Sequence, residues 1–479
     1  VTGQVASIRF GTDGWRAVIA RDYTFANLER VAQAYAEYLL QQGTENKAEP
    51  TPLVIVGYDR RFLSDQFAKT AAEVMAGNGF RVARFSEDTP TPLISWAVKD
   101  LGAIGGIVIT ASHNPADFNG FKIKAPWGGS AAPETTAAVE KLVDTSAPRH
   151  AQVDAARSDL LETAIASYRK QIAACVDLER LKRSGESVII DPMHGTGGRW
   201  VESFLSDGEL KVETIRAQRD PLFGGVNPEP IDQNLALLKE RVKETYSLAG
   251  LATDGDADRV GAVNELGETM TMHDVVPLLL LHLARRRKMT GAVVRTFSQS
   301  VLTKRIAKAL GLRLYETPIG FKYIADLMLK EDILIGAEES GGIGVKGHIP
   351  ERDGILNSLL FLEAIVTSGK PPSIMLAELH AEFGEFRFGR RDLRVEVERG
   401  KELVAQLASN PPAKVAGHDV TDVVTTDGTK LEFKDESWLL FRQSGTEPAL
   451  RVYSEATSVA KMNALLDAGT SLAGQNHLR

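Results

Sequence analysis

The chain has 479 residues, 43% of them apolar and 25% charged, with a net charge of −7. Compact domains usually run roughly 100 to 200 residues, so three or four cored domains are expected. The mixture excludes a disordered or fibrous chain, and the acidic balance excludes a broad nucleic-acid surface, which would need a basic domain.

The opening segment passes through Arg9, Asp13 and Arg16 without the apolar core of a signal peptide, so a cytoplasmic enzyme is the expectation. The strand-like run Leu53 to Gly57 precedes the helical pattern Gln66 to Asn78, and Val82 to Phe85 follows it. That alternation marks βαβ units and a mainly parallel sheet. The apolar run Ile104 to Ile109 then enters Thr110-Ala-Ser-His-Asn-Pro115. Asn114-Pro115 forces a turn there, leaving Ser112 and His113 at an exposed strand end. A hydroxyl so placed is a candidate nucleophile, although no G-x-S-x-G elbow is present and a local hydrogen-bonding serine is the plainer alternative.

The turn-rich stretch Thr145 to Arg149 closes the first domain. Cys175, the single cysteine, cannot form an intramolecular disulfide and reads as a buried, inert thiol on a helix face. Gly195-Thr-Gly-Gly198 does not complete a dinucleotide fingerprint and no Walker loop occurs, so nucleotide cofactors are unsupported. Leu248 to Ala252 leads into Asp254-Gly-Asp-Ala-Asp258, three carboxylates at alternate positions. Hard oxygen ligands for a divalent cation are the reading that relieves their mutual repulsion. Glu265 falls at the twelfth position of an EF-hand, but Arg259 stands where that loop requires glycine, which rejects it. A haloacid-dehalogenase-type phosphatase shares the strand and the Asp-x-Asp pair, but here a third Asp follows.

Glu265 to Glu268 makes the next break. The apolar run Val275 to Ala284, interrupted by Pro277 and His282, falls short of the roughly 20 residues that span a membrane. Arg285 to Lys288 complements the C-terminal dipole of that helix. A third strand, Ile333 to Gly336, enters Glu338-Glu-Ser-Gly341, and Ser368-Gly-Lys-Pro-Pro-Ser373 is a strong breaker. The last segment reads as a smaller α+β domain, with strands Trp438 to Phe441 and Leu450 to Tyr453 around Arg442-Gln-Ser-Gly-Thr446. A guanidinium, two hydroxyls and a glycine suit a phosphate clamp, a plain turn with a surface arginine being the alternative. Ligands of open α/β sheets bind beyond the carboxyl ends of the strands, so the loaded loops are expected to face one shared cleft.

These loops, in this order and together with Phe10-Gly-Thr-Asp-Gly-Trp-Arg16, resemble the α-D-phosphohexomutase family across nearly the whole chain. The resemblance implies four domains around a central cleft: three similar mixed α/β sheet domains at 1–148, 149–267 and 268–371, and an α+β domain at 372–479. By the same resemblance Ser112 matches the phosphorylated serine, and Asp254, Asp256 and Asp258 match Mg2+ ligands with the seryl phosphate completing the site. Arg16, His113 and Lys122 match the polar groups near the transferring phosphate. Glu338 and Ser340 match the loop that holds the sugar hydroxyls, with Arg259, Thr317, Gly320, His348 and Arg352 expected around the substrate. Arg442, Ser444, Gly445 and Thr446, with Arg451, match the group that holds the non-reacting phosphate.

Thr317-Pro-Ile-Gly-Phe-Lys322 and His348-Ile-Pro-Glu-Arg-Asp-Gly354 look most like the phosphoglucomutase version, although Ala337, Gly342 and Arg352 depart from common family residues. The expected reaction therefore interconverts glucose 1-phosphate and glucose 6-phosphate through a phosphoserine, with glucose 1,6-bisphosphate as intermediate and activator. Lys122 and His113 both remain candidates for the general acid/base. The alternatives are a phosphomannomutase, a phosphoglucosamine mutase or a glucose-1,6-bisphosphate synthase of the same family and, in another class, a phosphosugar hydrolase or a non-catalytic phosphosugar-binding protein. The expected partner is a small phosphosugar, with neither nucleic acid nor membrane, for a monomer or homodimer.

Overall fold

The computed structural model describes residues 8–11, 14–42, 51–153, 158–444 and 448–475. Two compact units result, one of Val1–Thr269 with Gly341–Pro371 and one of Met270–Ser340 with Pro372–Arg479.

In the first unit, β1 (Trp15–Val18), β2 (Leu53–Tyr58), β3 (Arg81–Arg84), β4 (Gly105–Ile109) and β5 (Phe118–Lys124) form a sheet of order β1-β5-β4-β2-β3. β2 is parallel to β3 and β4, whereas β5 is antiparallel to β4 and β1. Every residue of β2 and β4 is buried, which is why both read as unbroken apolar runs rather than alternating ones. The helix Phe25–Gln41 starts where the Thr24 side chain accepts from the Asn27 N–H, and its buried Leu28, Val31, Ala32, Tyr35 and Leu39 recur at helical spacing.

The same design repeats with β6 (Ser187–Asp191), β7 (Lys211–Thr214), β8 (Ala249–Thr253) and β9 (Val260–Asn264), edged by β10 (Thr269–Met270), in the order β10-β9-β8-β6-β7. β6 is parallel to β7 and β8, and β9 is antiparallel to β8. The loops after β4 and β8 therefore leave equivalent strand ends in the two sheets. Cys175 ends the helix Ser158–Cys175 and is half-buried, less enclosed than its sequence neighbours suggest.

In the second unit, β11 (Ala292–Thr296), β12 (Leu314–Thr317) and β13 (Ile333–Ala337) repeat the parallel trio, with β11 central. The run beginning at Met272 is a helix to Leu281 that contains Pro277 and passes into a π turn at His282–Arg286, where Arg285 and Arg286 stand in the last turn. β14 (Ile343–Val345) belongs to the first unit, as does the buried helix Gly354–Ser368. Among the described residues no single helix is long and apolar enough to cross a membrane.

The C-terminal sheet is antiparallel, with β15 (Arg387–Arg394), β16 (Lys414–Val415), β17 (His418–Val424), β18 (Thr429–Phe433), β19 (Trp438–Gln443) and β20 (Ala449–Ala456) in the order β15-β20-β19-β18-β17-β16. Leu403 and Leu407 of the helix Val397–Ser409 and Leu465 and Leu466 of the helix Val459–Gln475 share its core. Lys430 of β18 is buried, its ammonium 3.9 Å from the Phe297 ring centre and 5.3 Å from that of Trp438. Burial pushes this lysine down to about 8, with Glu316 pulling up and Arg295 pushing further down.

Between that value and 10.5 the folded chain binds fewer protons at Lys430 than the unfolded chain, so its contribution to stability rises with pH over that window. The penalty for burying the charge is full below about 8, roughly 3 kcal/mol at most for a displacement from 10.5. Lys430→Met is therefore expected to melt higher than the wild type at neutral pH, with the gap closing as pH climbs through the window. Paired thermal melts at each pH check this, and a gap independent of pH contradicts it.

Candidate active site

The turn after β4 places Ser112 in the left-handed region at φ 52°, with 1% of its surface exposed. Its N–H donates to Thr110 Oγ1 at 2.8 Å, and its hydroxyl donates to Asp254 Oδ2 at 2.9 Å. His113 Nδ1 lies 3.3 Å from the same hydroxyl. Arg16, on β1, donates from Nη1 to Asn114 Oδ1 at 2.7 Å and so reaches the same turn. Of the N-terminal motif, Thr12 and Asp13 lie outside the described residues.

The loop after β8 brings Asp254, Asp256 and Asp258 together, with one carboxylate oxygen from each lying within 4.8 Å of the others, all three residues being buried. Asp254 Oδ1 accepts from the N–H groups of Asp258 and Arg259 at 3.0 and 3.1 Å, which fixes the loop's curl. Gly255 is required here, because a Cβ would come within 2.5 Å of the Ser112 carbonyl oxygen. Lys122, on β5, donates to Asp256 Oδ2 at 2.8 Å and Asp258 Oδ2 at 3.3 Å, while Thr91 Oγ1 donates to Asp256 Oδ2 at 2.8 Å. Arg352 Nη2 lies 3.0 Å from Asp258 Oδ2, and Arg259 Nε 3.9 Å from Asp258 Oδ1.

Burial, then repulsion from Asp256 and Asp258, raises the Asp254 carboxyl well above the ordinary range. Burial also works to raise Asp256, but the Lys122 ammonium and the Thr91 hydroxyl outweigh it and hold that carboxyl low. Burial alone would lower Arg259, yet Asp254, Asp258 and Glu229 keep its pKa raised. Asp256 Oδ1 and Asp258 Oδ1 are buried without a hydrogen-bond partner. Two orphaned carboxylate oxygens beside a serine hydroxyl fit a hard divalent cation.

His348, expected near substrate, is 1% exposed at its side chain and bonds Asp353 Oδ2 through Nε2 at 3.0 Å. Its ring stacks on Trp96 at 5.6 Å, and Tyr168 Oη donates to the same Asp353 oxygen at 2.9 Å. Asp353 in turn caps the helix Gly354–Ser368 through the Leu356 N–H. Next to it Glu351 bonds Lys124 at 2.8 Å, both side chains buried.

The remaining residues lie in the second unit. Glu338 is buried just beyond β13, with Ser340 half-buried, and the neighbouring Glu339 accepts from Ser298 Oγ at 2.6 Å. Thr317 ends β12, and Gly320, at φ 139°, precedes the helix Phe321–Lys330. Arg442 and Arg451 face one another in register across β19 and β20, and the Ser444 N–H donates to the Ala449 carbonyl at 2.9 Å. Gly445 and Thr446 lie outside the described residues. Asp427 Oδ2 accepts both from Arg442 Nε at 3.0 Å and from the Ile319 N–H at 2.9 Å, so one carboxylate anchors the 317–322 loop and the arginine. Burial alone would lower Arg442, but Asp427 keeps its pKa raised. Sequence reasoning missed Asp427, Thr91, Lys124, Glu351 and the buried Asp59 and Arg61. Only the last pair carried a visible signal, a charged stop at the end of an apolar strand.

The chain thus combines three sheets of one design, an antiparallel fourth, and a serine hydroxyl set against a buried acidic trio. Models described as phosphoglucomutase/phosphomannomutase alpha/beta/alpha domains I, II and III and C-terminal domain match residues 7–150, 166–267, 273–383 and 393–469. A phosphoglucomutase/phosphomannomutase of Thermococcus kodakarensis is 33% identical, covering 97% of this chain and 98% of its own. A phosphoglucosamine/phosphogalactosamine mutase of Sulfurisphaera tokodaii is 29% identical, covering 96% and 97%. The crystal structure of a protein from Thermus thermophilus, provisionally assigned as a phosphomannomutase, superposes with a TM-score of 0.86 at 37% identity, covering 98% of this chain and 100% of that one. The chain belongs to the α-D-phosphohexomutase family, whose members are intramolecular phosphotransferases that use Mg2+.

Burial and the two neighbouring carboxylates raise Asp254, so apparent Mg2+ affinity should weaken as pH falls through that raised value, by up to about tenfold per pH unit. Calorimetric titration with Mg2+ across a series of pH values measures the slope. Asp254→Asn should flatten it; the same slope in the variant would assign the proton elsewhere.

Proposed function

We propose that the chain is a phosphoglucomutase that carries the phosphoryl group on Ser112. The observation that carries this reading is the Ser112 hydroxyl, 2.9 Å from Asp254 beside two carboxylate oxygens without a hydrogen-bond partner. Mg2+ held by Asp254, Asp256, Asp258 and a seryl phosphate would supply charge neutralisation for the transferring group. Lys122 at the acidic loop and Arg16 at the serine turn add positive charge, and the 3.3 Å from His113 Nδ1 to the hydroxyl supports His113 rather than Lys122 as the group that handles the proton.

In the first half-reaction the Ser112 Oγ–P bond breaks as a sugar hydroxyl forms the new O–P bond and gives up its proton, leaving a hexose 1,6-bisphosphate. The freed Ser112 Oγ takes up that proton; after the sugar turns end for end, the serine hydroxyl attacks the other phosphate, the O–P bond between that phosphate and the sugar breaks, and the proton Ser112 loses ends on the freed sugar oxygen, giving the hexose monophosphate and restoring the phosphoserine. On this reading Glu338 and Ser340 hold the sugar hydroxyls, and Arg442, Ser444, Gly445, Thr446 and Arg451 hold the non-reacting phosphate. Arg259, Thr317, Gly320 and Arg352 complete the substrate contacts, and we assign His348 the task of holding Asp353 and thereby the segment bearing Arg352.

Ser112→Ala should lose turnover to below about a thousandth of wild type while melting normally, because a turn tolerates a lost hydroxyl. Coupled assay and thermal melt together check this; turnover above that level removes the phosphoserine.

Glucose 1-phosphate should have a higher kcat/KM than mannose 1-phosphate or glucosamine 1-phosphate, by about 10 to 200-fold, the range open to a partly hydrated pocket. Relatives named as phosphoglucosamine mutases make that sugar the specific competitor. A parallel assay of the three sugars decides, and a higher value for either rival overturns the glucose assignment while leaving the mutase chemistry standing. Inorganic phosphate as the main product would instead favour a hydrolase.

A further inference from the structure

Arg61 follows β2, is fully buried, and holds no phosphate-facing position in the family resemblance. Charged side chains are almost never buried this completely unless they are paired. Its Nη1 donates to the carbonyls of Pro115 at 2.6 Å and Phe118 at 3.0 Å. Its Nη2 donates to the carbonyls of Ser112 at 2.8 Å and Asn114 at 2.6 Å. All four Nη hydrogens are thus spent on the backbone of one turn, which leaves none for a phosphate oxygen.

The guanidinium is itself held. Nε faces Asp59 Oδ2 at 3.1 Å, and the Phe223 ring centre lies 5.0 Å from its carbon. Asp59 Oδ1 accepts from Ser64 Oγ at 2.7 Å and from the Arg61 N–H at 3.0 Å, and Ser64 Oγ accepts from Asn119 Nδ2 at 2.9 Å. Asn119 lies on β5, so the clamp is braced against the strand that carries Lys122. The turn needs such bracing, because Ser112 at φ 52° occupies a region that non-glycine residues enter only when the surroundings over-determine it.

We propose that Arg61 is a positioning residue for phosphoryl transfer, locking the turn of residues 112–118 so that Ser112 Oγ is aimed at the acidic trio before substrate arrives. This rests on the reading of Ser112 as the phosphate carrier. An arginine with a merely stabilising role would raise the melting temperature without separating kcat from KM. Here all four carbonyls belong to the nucleophile's own turn, so the loss should fall on the chemical step.

Arg61→Lys is the test, because a tetrahedral ammonium has three donors and cannot reproduce a planar fork that meets four carbonyls. Steady-state kinetics with glucose 1-phosphate and Mg2+ should show kcat reduced by about 100-fold, as for a misplacement near 1 Å, with KM within about threefold. A kcat within about threefold of wild type, or a loss carried by KM, overturns the proposal. If Arg61→Lys gives no folded protein, Phe223→Leu takes its place, since it removes the ring beneath the guanidinium and leaves the charge. A fall in kcat of threefold or more at constant KM is then expected, and an unchanged kcat overturns the proposal. Ser112→Ala run alongside separates the two ideas: an active Ser112→Ala removes the phosphoserine and this proposal with it, whereas an inactive one beside an unimpaired Arg61→Lys removes only the role of Arg61.

Discussion

Three carboxylates held out of water within one loop are the constraint around which the first unit is arranged. Repulsion between Asp254, Asp256 and Asp258 has to be balanced by cations that are equally deprived of solvent. Lys122 meets Asp256 and Asp258, Arg352 meets Asp258, and Arg259 lies along the same edge. Arg352 also pairs with Glu351 at 3.4 Å, and Glu351 with Lys124 at 2.8 Å. Lys122 and Lys124 are two apart on β5 and so share one face of the strand. The resulting chain of alternating charges ties that strand to the acidic loop and to the segment before the helix Gly354–Ser368. Buried ion pairs add little net stability over apolar residues of similar size, so their concentration at this place marks alignment rather than strength.

Close backbone approach is the second consequence. Gly255 lies against the Ser112 carbonyl, and a Cβ on Gly354 would meet the Arg259 carbonyl at 2.4 Å. The Gly354 N–H donates to the Ala257 carbonyl at 2.9 Å, so the acidic loop is gripped through its backbone as well as through its carboxylates. Alanine at either position would force the facing backbone to shift.

The fold was legible because parallel strands buried on both faces leave unbroken apolar runs, and the runs at Leu53, Ile104, Leu248 and Ile333 all became strands. The strand-end loops were legible because composition turns abruptly polar where those runs stop. Tyr58-Asp-Arg-Arg61 carries the same signal, but a charged pair after a strand reads equally well as a solvated turn. Only the fold shows that Arg61 points inward, at carbonyls between 51 and 57 residues away. Asp427 gave no signal, since a lone aspartate before Gly428 is the ordinary composition of a turn. His348 illustrates the reverse error of emphasis: its motif suggests contact with a ligand, whereas its ring is enclosed by Trp96, Tyr168 and Asp353.

The second unit solves a different problem, that of keeping an arginine charged and oriented without exhausting its donors. Asp427 takes only Nε of Arg442, so the acid fixes the plane of the guanidinium and leaves its outer nitrogens outside that bond. Because the same Asp427 oxygen accepts the Ile319 N–H, the position of the arginine is tied to the 317–322 loop. In the proposed reaction the bisphosphate presents first one phosphate and then the other to this arginine, with the sugar reversed between the two. A clamp that also read the sugar through rigid contacts would favour one orientation and slow the return step. An arginine in that role meets either phosphate alike, so on the proposed reading discrimination among sugars falls to groups that meet hydroxyls rather than phosphates.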